Sequence, residues 1–505
     1  MSYIQPKSRH QFMMPSCIEE YVSSDNPVRF IDAFVDKVIE IQPELLTEKG
    51  TSHLGRSAYP FSTLLKLYIY GFLNSISSSR KLENETYRNM EVIWLLGNLQ
   101  PDHKTISDFR KDNKEAIRTV TLSFRKFLRD EGYITGKHMT TDGTKIKAYA
   151  SKNTISLQTI NQRMERIEAE LDRYLNQLQE NDRFESLEEQ IDELSEDLDV
   201  ESALLKKIAS LQSQIEELKK HKKFLEDSGR EEYAPADPDA KIMKGANGFL
   251  IGYNAQLMID NPYHMIALMD VTDEPIDYER LERNAQAVEE QIDIVPEELA
   301  ADKGFANEDQ IQNLEKNGTR CFVPFPEQAV PKSQIEAGIS FEYDEKNDCY
   351  HCSEGQTLSL ITKHKMRRGR PYAVYQGKNC NDCPLREKCT KSKKGRLIHR
   401  RLNDEWLRSY KEKLKTPYCQ QKIKERKNYV EHPFGTIKYW MGQIPLLLRG
   451  KEKVQVEIDL YATCYNLKRL MNIEPIDKLM RKIADWGKTN LIKVDFGKKM
   501  LLLAA

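Results

Sequence analysis

The chain has 505 residues, 77 Lys+Arg against 78 Asp+Glu, a net charge of -1 and 31% charged residues, against about 25% in an ordinary globular protein. That length suggests about three domains, and the near-neutral sum excludes a uniformly basic nucleic-acid binder. Ordinary Gly and Pro content (23 and 20) excludes collagen-like or low-complexity architecture.

Residues 1–130 read as a helical N-terminal domain. The start, MSYIQPKSRHQFMMP, lacks the pattern of a signal peptide, and the most apolar run, Phe61–Leu73, is too short to span a bilayer. An intracellular protein with no membrane partner is expected. Pro60 predicts the start of a helix over that apolar run. In TISDFRKDNKEAIRTVTLSFRKFLRDEG, Thr105 is the expected N-cap with Asp108 in capping-box position, and Ile117, Val120, Phe124 and Phe127 share a helical face. The polar SSSRKLENETYRN and HKTISDFRK stretches are candidate DNA-facing elements, or simply solvated faces.

Residues 156–230 carry apolar positions three and four apart, from Met164 to Leu218, as in a coiled coil. Six-residue steps from Leu178 to Phe184 and from Leu198 to Leu204 break the register, which fits stutters in one helix or the turns of a folded-back hairpin. Residues 161–230 hold 11 Lys+Arg and 19 Asp+Glu, a net of -8. Such an acidic arm suits oligomerisation better than DNA binding.

The segments 135–155 and 235–330 read as an α/β core interrupted by that arm. GKHMTTDG, GYNAQLMID and HMIALMDVTD predict strands, DYERLERNAQAVEEQIDI a helix, and PEELAADKGF a fourth strand. Asp142 is then expected at the end of the first strand and Asp302 after the fourth.

Residues 335–400 form a Cys-rich basic insertion, 401–480 return to core helices, and 481–505 are a tail. Nine cysteines are present, five of them between positions 349 and 389. Cys349-x2-Cys352 followed by Cys380-x2-Cys383 has a spacing close to that of a structural zinc site, with Cys389 a fifth candidate and His351 and His364 as substitutes. The alternative is a set of ordinary thiols, as expected for Cys17, Cys321, Cys419 and Cys464. Residues 361–440 carry 23 Lys+Arg and 7 Asp+Glu, a net of +16, so the neutral total conceals a strongly cationic stretch suited to phosphates.

Phosphodiester chemistry is supported by hard divalent cations held on a few carboxylates. Asp142 and Asp302 fit as two such groups, and Glu431, in the basic NYVEHPFGTIK stretch, fits as a third. Pro433 predicts a kink or a new helix start just after it. Taken singly, each has a plainer reading: a turn for Asp142-Gly143, a loop after a strand for Asp302, a solvated charge for Glu431.

TTDGTKIKAYASKN, GYNAQLMID, ADKGFAN and RKNYVEHPFGTIKYWMG, in that order, resemble the successive blocks of bacterial insertion-sequence transposases of the Asp-Asp-Glu type. PFSTLLKLYIYGFLNSISSSRKLENETYRN and LQPDHKTISDFRK resemble their N-terminal domain. The resemblance implies an RNase H-like catalytic core and DNA strand cleavage and transfer at terminal inverted repeats. It makes Asp142, Asp302 and Glu431 the ligands of two Mg²⁺ or Mn²⁺ ions. It also implies phosphate contacts from Lys438 and from Arg426 or Lys427, while Lys424 stands where relatives carry a tyrosine. Trp440 is a candidate holder of a flipped base. The implied setting is the bacterial cytoplasm and nucleoid, with terminal-repeat and target DNA as partners and a homo-oligomer formed through the coiled coil. Two further readings are a catalytically inactive, transposase-derived DNA-binding regulator, and a coiled-coil interaction protein with a zinc module.

Overall fold

The computed structural model describes residues 17–46, 58–150, 154–188, 197–245, 248–326, 332–367, 370–401, 405–437 and 446–487. Two units divide the chain, one formed by Met1–Leu299 with Lys427–Ala505 and one by Ala300–Arg426. Among the described residues no helix is long and apolar enough to cross a membrane.

The first unit begins with six helices: α1 (Pro27–Ile41), α2 (Phe61–Leu73), α3 (Ser79–Arg88), α4 (Met90–Leu95), α5 (His103–Asp112) and α6 (Lys114–Asp130). Asn26 caps α1 by accepting the Val28 N–H at 2.9 Å, and Pro27 occupies the first turn, where its missing N–H costs nothing. Helix α2 covers the apolar run predicted for it and is buried nearly all round. Its one buried charge, Lys66, is neutralised by Asp32 and Asp36, each at 2.6 Å. The expected cap at Thr105 is corrected: Asp102 accepts the Thr105 N–H at 2.8 Å, so Thr105 lies inside α5. Asn113 then separates α5 from α6, whose Ile117, Val120, Phe124 and Phe127 are buried as the spacing predicts.

A mixed α/β arrangement follows. It comprises β1 (Met139–Lys147), β2 (Ile155–Ser156), α7 (Leu157–Glu188), α8 (Asp197–Ser228), β3 (Glu232–Tyr233), β4 (Lys241–Gly245), β5 (Gly248–Asp260), β6 (Met265–Thr272), α9 (Leu281–Ile292) and β7 (Glu298–Ala300). The predicted order of strand, helical arm, two strands, helix and strand is present as β1, α7–α8, β5, β6, α9 and β7; the short β2–β3 ladder and β4, which pairs with β5, are additions to it. The neighbours run β4-β5-β1-β7, with β6 also paired to β5. Antiparallel pairing of β1 with β5 sets Asp142 opposite Leu257.

Neither six-residue step in the arm breaks a helix, since Leu178–Phe184 lies within α7 and Leu198–Leu204 within α8. Residues 189–196, between the two helices, lie outside the described residues. At the base of the arm Ile160 of α7 clusters with Leu218 and Leu225 of α8 and with Tyr233. The start of one helix thus meets the end of the other, making an antiparallel hairpin closed by the β2–β3 ladder.

The unit is completed by α15 (Lys451–Ile473) and α16 (Ile476–Asp485), after the intervening helices of the second unit. Helix α15 is buried all round from Val454 to Leu467, and it covers β6 with side-chain amides. Asn466 accepts the Ile266 N–H at 2.8 Å and donates to the Ile266 carbonyl at 2.9 Å. Gln455 does the same for the Val271 N–H (2.7 Å) and the Met269 carbonyl (2.8 Å). Two amides therefore satisfy backbone groups that an uncovered strand edge would leave open.

The second unit contains α10 (Glu308–Lys316), β8 (Arg320–Phe322), α11 (Lys332–Glu336), β9 (Phe341–Asp344), β10 (Cys349–Cys352), β11 (Thr357–Arg367), β12 (Arg370–Gly377), α12 (Arg386–Cys389), β13 (Leu397–Arg401), α13 (Glu405–Leu414) and the first part of α14 (Pro417–Gly435). The Cys-rich insertion is built on a five-stranded antiparallel sheet in the order β13-β12-β11-β10-β9, packed on Leu358, Ala373 and Tyr375. Tyr410 of α13 is buried and ties β8 in place, accepting the Val323 N–H and donating to the Cys321 carbonyl, both at 3.1 Å.

Candidate active site

Asp142 sits in the middle of β1 rather than at its end, because the strand continues to Lys147. Side chains alternate along a strand, so Asp142 faces away from Thr141, Gly143 and Lys145. That second face carries a polar network. Asp277 accepts from Asn254 and from Gln256, each at 2.7 Å, and Lys145 approaches it at 3.6 Å. Asn284 of α9 donates to Thr141 and to Gln256, both at 3.0 Å. The strand beneath Asp142 is thereby fixed from behind, and its own Oδ1 accepts the Gly143 N–H at 2.8 Å.

Asp302 lies two residues beyond β7, as the sequence predicts, and belongs to the second unit. Its Oδ1 accepts the Gly304 N–H at 2.7 Å and so caps the short 3-10 turn Lys303–Phe305. Buried Phe305 anchors that turn.

Glu431 is in the part of α14 that belongs to the first unit. Its carboxylate is about two-thirds exposed and stands 3.6 Å from Lys427 Nζ, one turn earlier. No new helix starts after Glu431: α14 runs on to Gly435 with Pro433 inside it. Val430, before the proline, and Ile437, just beyond the end of α14, are buried, while the Glu431 side chain is mostly exposed. Arg426, five residues before Glu431, is the last residue of the second unit. Lys438 and Trp440 lie outside the described residues.

Sequence reasoning missed the groups beside Glu431. His432 Nδ1 is 3.0 Å from the Tyr465 hydroxyl. Its ring meets that of His264 edge-on at 5.4 Å, and Tyr429 packs on His264 at 5.1 Å. His264 has a left-handed backbone, φ 56°, at the β5–β6 turn. Burial, with help from the positive charges of Arg469 and His432, pushes its pKa down to about 4, and His432 is lowered chiefly by burial as well. A cavity of about 250 Å³ opens next to His432, lined also by Thr436, Tyr465, Lys468, Arg469 and Asn472. The signal available in the sequence was the helical spacing of Tyr465, Lys468, Arg469 and Asn472 on α15.

The five candidate metal-binding cysteines split into two groups. Cys349 and Cys352 are the first and last residues of a regular strand, paired with Asp344 and Phe341 respectively. Positions three apart on a strand face opposite ways, so this C-x2-C does not chelate as a pair. Cys349 keeps company with Asp344 and His351, whose ligand atoms all lie within 4.8 Å of one another. Cys352 instead lines a cavity of about 30 Å³ with Cys380, Cys383 and Cys389.

Two family models match the chain. Residues 351–471 match a transposase DDE domain and residues 16–112 a transposase domain, DUF772. These matches bear out the resemblance to insertion-sequence transposases of the Asp-Asp-Glu type, and the chain carries transposase domains in its N-terminal and C-terminal parts. Glu431 and the four cavity cysteines fall inside the DDE match, whereas Asp142 and Asp302 lie outside both. No curated protein matches. A cryo-EM structure of a piggyBac transposase synaptic complex with hairpin DNA aligns over 92% of this chain and 80% of that one, at 9% identity and a TM-score of 0.30, a likeness too weak to bear on fold or mechanism.

Proposed function

We propose that the chain is a DNA transposase of the insertion-sequence type, which binds terminal inverted repeats, cleaves DNA strands there and transfers the freed ends to target DNA. The observation that carries this reading is the position of Glu431 inside a matched transposase DDE segment, preceded in family order by two strand-associated carboxylates. The core would be RNase H-like, with β1 as its first strand. Asp142, Asp302 and Glu431 would hold two divalent cations of the Mg²⁺ or Mn²⁺ type. Their donor chemistry fits: all three are carboxylates, which hard cations prefer, and Asp142 and Asp302 are each oriented by a backbone N–H. When bound, such ions polarise the scissile phosphate and lower the pKa of the attacking hydroxyl.

The remaining work falls to the chain itself. Lys427, 3.6 Å from Glu431, would take up a phosphate when DNA arrives, and the family resemblance gives Arg426 and Lys438 the same role. Lys468 and Arg469 line the neighbouring cavity, giving the same region further cationic contacts. Trp440 would stack on a base unpaired near the cut. The acidic α7–α8 arm would mediate self-association, since Leu175 and Leu205 on it are exposed and its charge disfavours DNA.

The test is cleavage of end-containing DNA by the purified chain with Mg²⁺ or Mn²⁺. Normal cleavage by Asp142→Ala sinks the triad assignment. Retained, sequence-specific gel shift by a wild-type chain that never cuts would favour the inactive regulator instead.

A further inference from the structure

We propose that Cys352, Cys380, Cys383 and Cys389 form a structural zinc site, and that Cys349 is not one of its ligands. Three independent features converge on this set. All four thiols line one cavity in the second unit. Closed four-thiolate shells of that kind are characteristic of structural zinc.

The local backbone is arranged around the sulfurs. The Gln356 N–H donates to Cys352 Sγ at 3.3 Å, and the Arg396 N–H to Cys380 Sγ at 3.5 Å. Backbone N–H groups aimed at sulfur orient it as the groups around a bound metal orient its ligands. Gly377 sits so close that an added Cβ would meet Cys380 Sγ at 2.6 Å. Cys380 opens a 3-10 turn, Cys383 follows its end and Cys389 closes the separate helix α12, so Cys380 and Cys383 flank one tight turn, unlike the C-x2-C on β10. The Cys389 carbonyl is held by Gln334 at 2.7 Å and by Arg396 at 2.8 Å.

The third feature is a missing core. None of residues 378–394, all of them described, is buried. A stretch of that length without buried side chains, yet folded into two helical turns, calls for a cross-link in place of hydrophobic burial. Zinc would supply it, joining this stretch to the end of β10. No three of the four sulfurs lie within 4.8 Å of one another, so the ion would draw them closer to reach about 2.3 Å from each. The rival trio of Asp344, Cys349 and His351 is tighter, but it stands on two adjacent strands whose pairing already explains its proximity, and Asp344 and His351 are open to water.

The test uses the full chain, purified with Zn²⁺ in the medium and, separately, loaded with Co²⁺. The expected result is about one zinc per chain in wild type, Cys349→Ser and His351→Ala, with a thiolate-to-cobalt charge-transfer band in all three, and loss of metal and band in the serine variants of Cys352, Cys380, Cys383 and Cys389. Because those variants can misfold, thiol alkylation of the wild-type chain is mapped by mass spectrometry before and after a chelator. Protection of Cys352, Cys380, Cys383 and Cys389, released by the chelator, supports the set. Zinc lost on Cys349→Ser, chelator-independent alkylation of the four thiols, or a metal-free wild type overturns it.

Discussion

Arg110 of α5 and Glu457 of α15 form an ion pair at 2.8 Å with both side chains almost wholly buried. The approach is not an aligned hydrogen bond, as Arg110 Nη1 and Nε lack a hydrogen-bond partner among the described residues. The guanidinium instead lies over the Tyr68 ring at 5.7 Å, while Glu457 also accepts the Leu447 N–H at 2.9 Å. The pair joins helices near the two ends of the chain, so the N-terminal helices and the C-terminal α15 share one core.

Removing one partner of such a pair strands a buried charge. Arg110→Met is expected to destabilise the first unit by about 3 kcal/mol, read as a lower urea midpoint. The double variant Arg110→Met, Glu457→Leu should recover much of that loss, because no charge is then left buried. A double variant no better than the single one would mean that Glu457 matters through its Leu447 contact instead.

Gly143, next to Asp142, has no room for a side chain. A Cβ there would meet Asp277 Oδ1 at 2.5 Å and Gln256 Nε2 at 2.7 Å, the groups that brace β1 from behind. Gly143→Ala should therefore cost about 1–3 kcal/mol and lower the thermal midpoint. It should also reduce DNA cleavage at temperatures where the variant remains folded, since the displaced strand carries Asp142.

His264 predicts a pH dependence. Its pKa is about 4 in the folded chain, depressed first by burial and then by Arg469 and His432, against about 6.5 in the unfolded chain. Between those values the unfolded chain takes up the proton and the folded chain does not. The stabilisation is therefore complete above about pH 6.5 and is lost as pH falls towards about 4. For a half-buried ring it is on the order of 1–2 kcal/mol. His264→Asn keeps a residue that tolerates a left-handed backbone and should flatten this part of the profile, measured as urea midpoints at pH 7 and pH 5. A smaller slope of the same sign should remain from His432.

Period and punctuation made most of the elements legible. The run Phe61–Leu73 and the strand, arm, strand, strand, helix, strand order were readable because apolar spacing reports which face is buried. Three features were not. Thr105 looks like a cap in isolation, but Asp102 lies one turn earlier and its carboxylate accepts the N–H of Thr105 itself, which puts Thr105 inside the helix. The register steps in the arm fit either stutters or turns, and the structure decides for stutters, since both steps lie inside helices. The C-x2-C at Cys349 has the spacing of a ligand pair but lies on a strand, where that spacing separates the sulfurs. The proposed carboxylates were readable from the sequence, but the groups beside Glu431 were not: the His264–His432–Tyr465 cluster depends on the β5–β6 turn meeting α14 and α15, which no local pattern encodes.

Glu431 offers the cleanest separation of binding from chemistry. Its side chain is exposed and its near neighbour is Lys427, at 3.6 Å, so Glu431→Gln should leave the fold and thermal midpoint within about 0.5 kcal/mol of wild type. Losing a negative charge beside a cationic stretch should leave end-DNA affinity equal or tighter, with an unchanged or steeper salt dependence. Cleavage should fall by at least about a hundredfold, as when other groups that stabilise the transition state are removed. Lys427→Gln should do the reverse, weakening DNA binding and lowering the salt slope by about one ion while cleavage at saturating DNA persists. Parallel gel shifts and strand-cleavage assays on both variants decide the matter. If Glu431→Gln cleaves normally while Lys427→Gln does not bind, Glu431 belongs to the DNA-facing surface and the third carboxylate must be sought elsewhere.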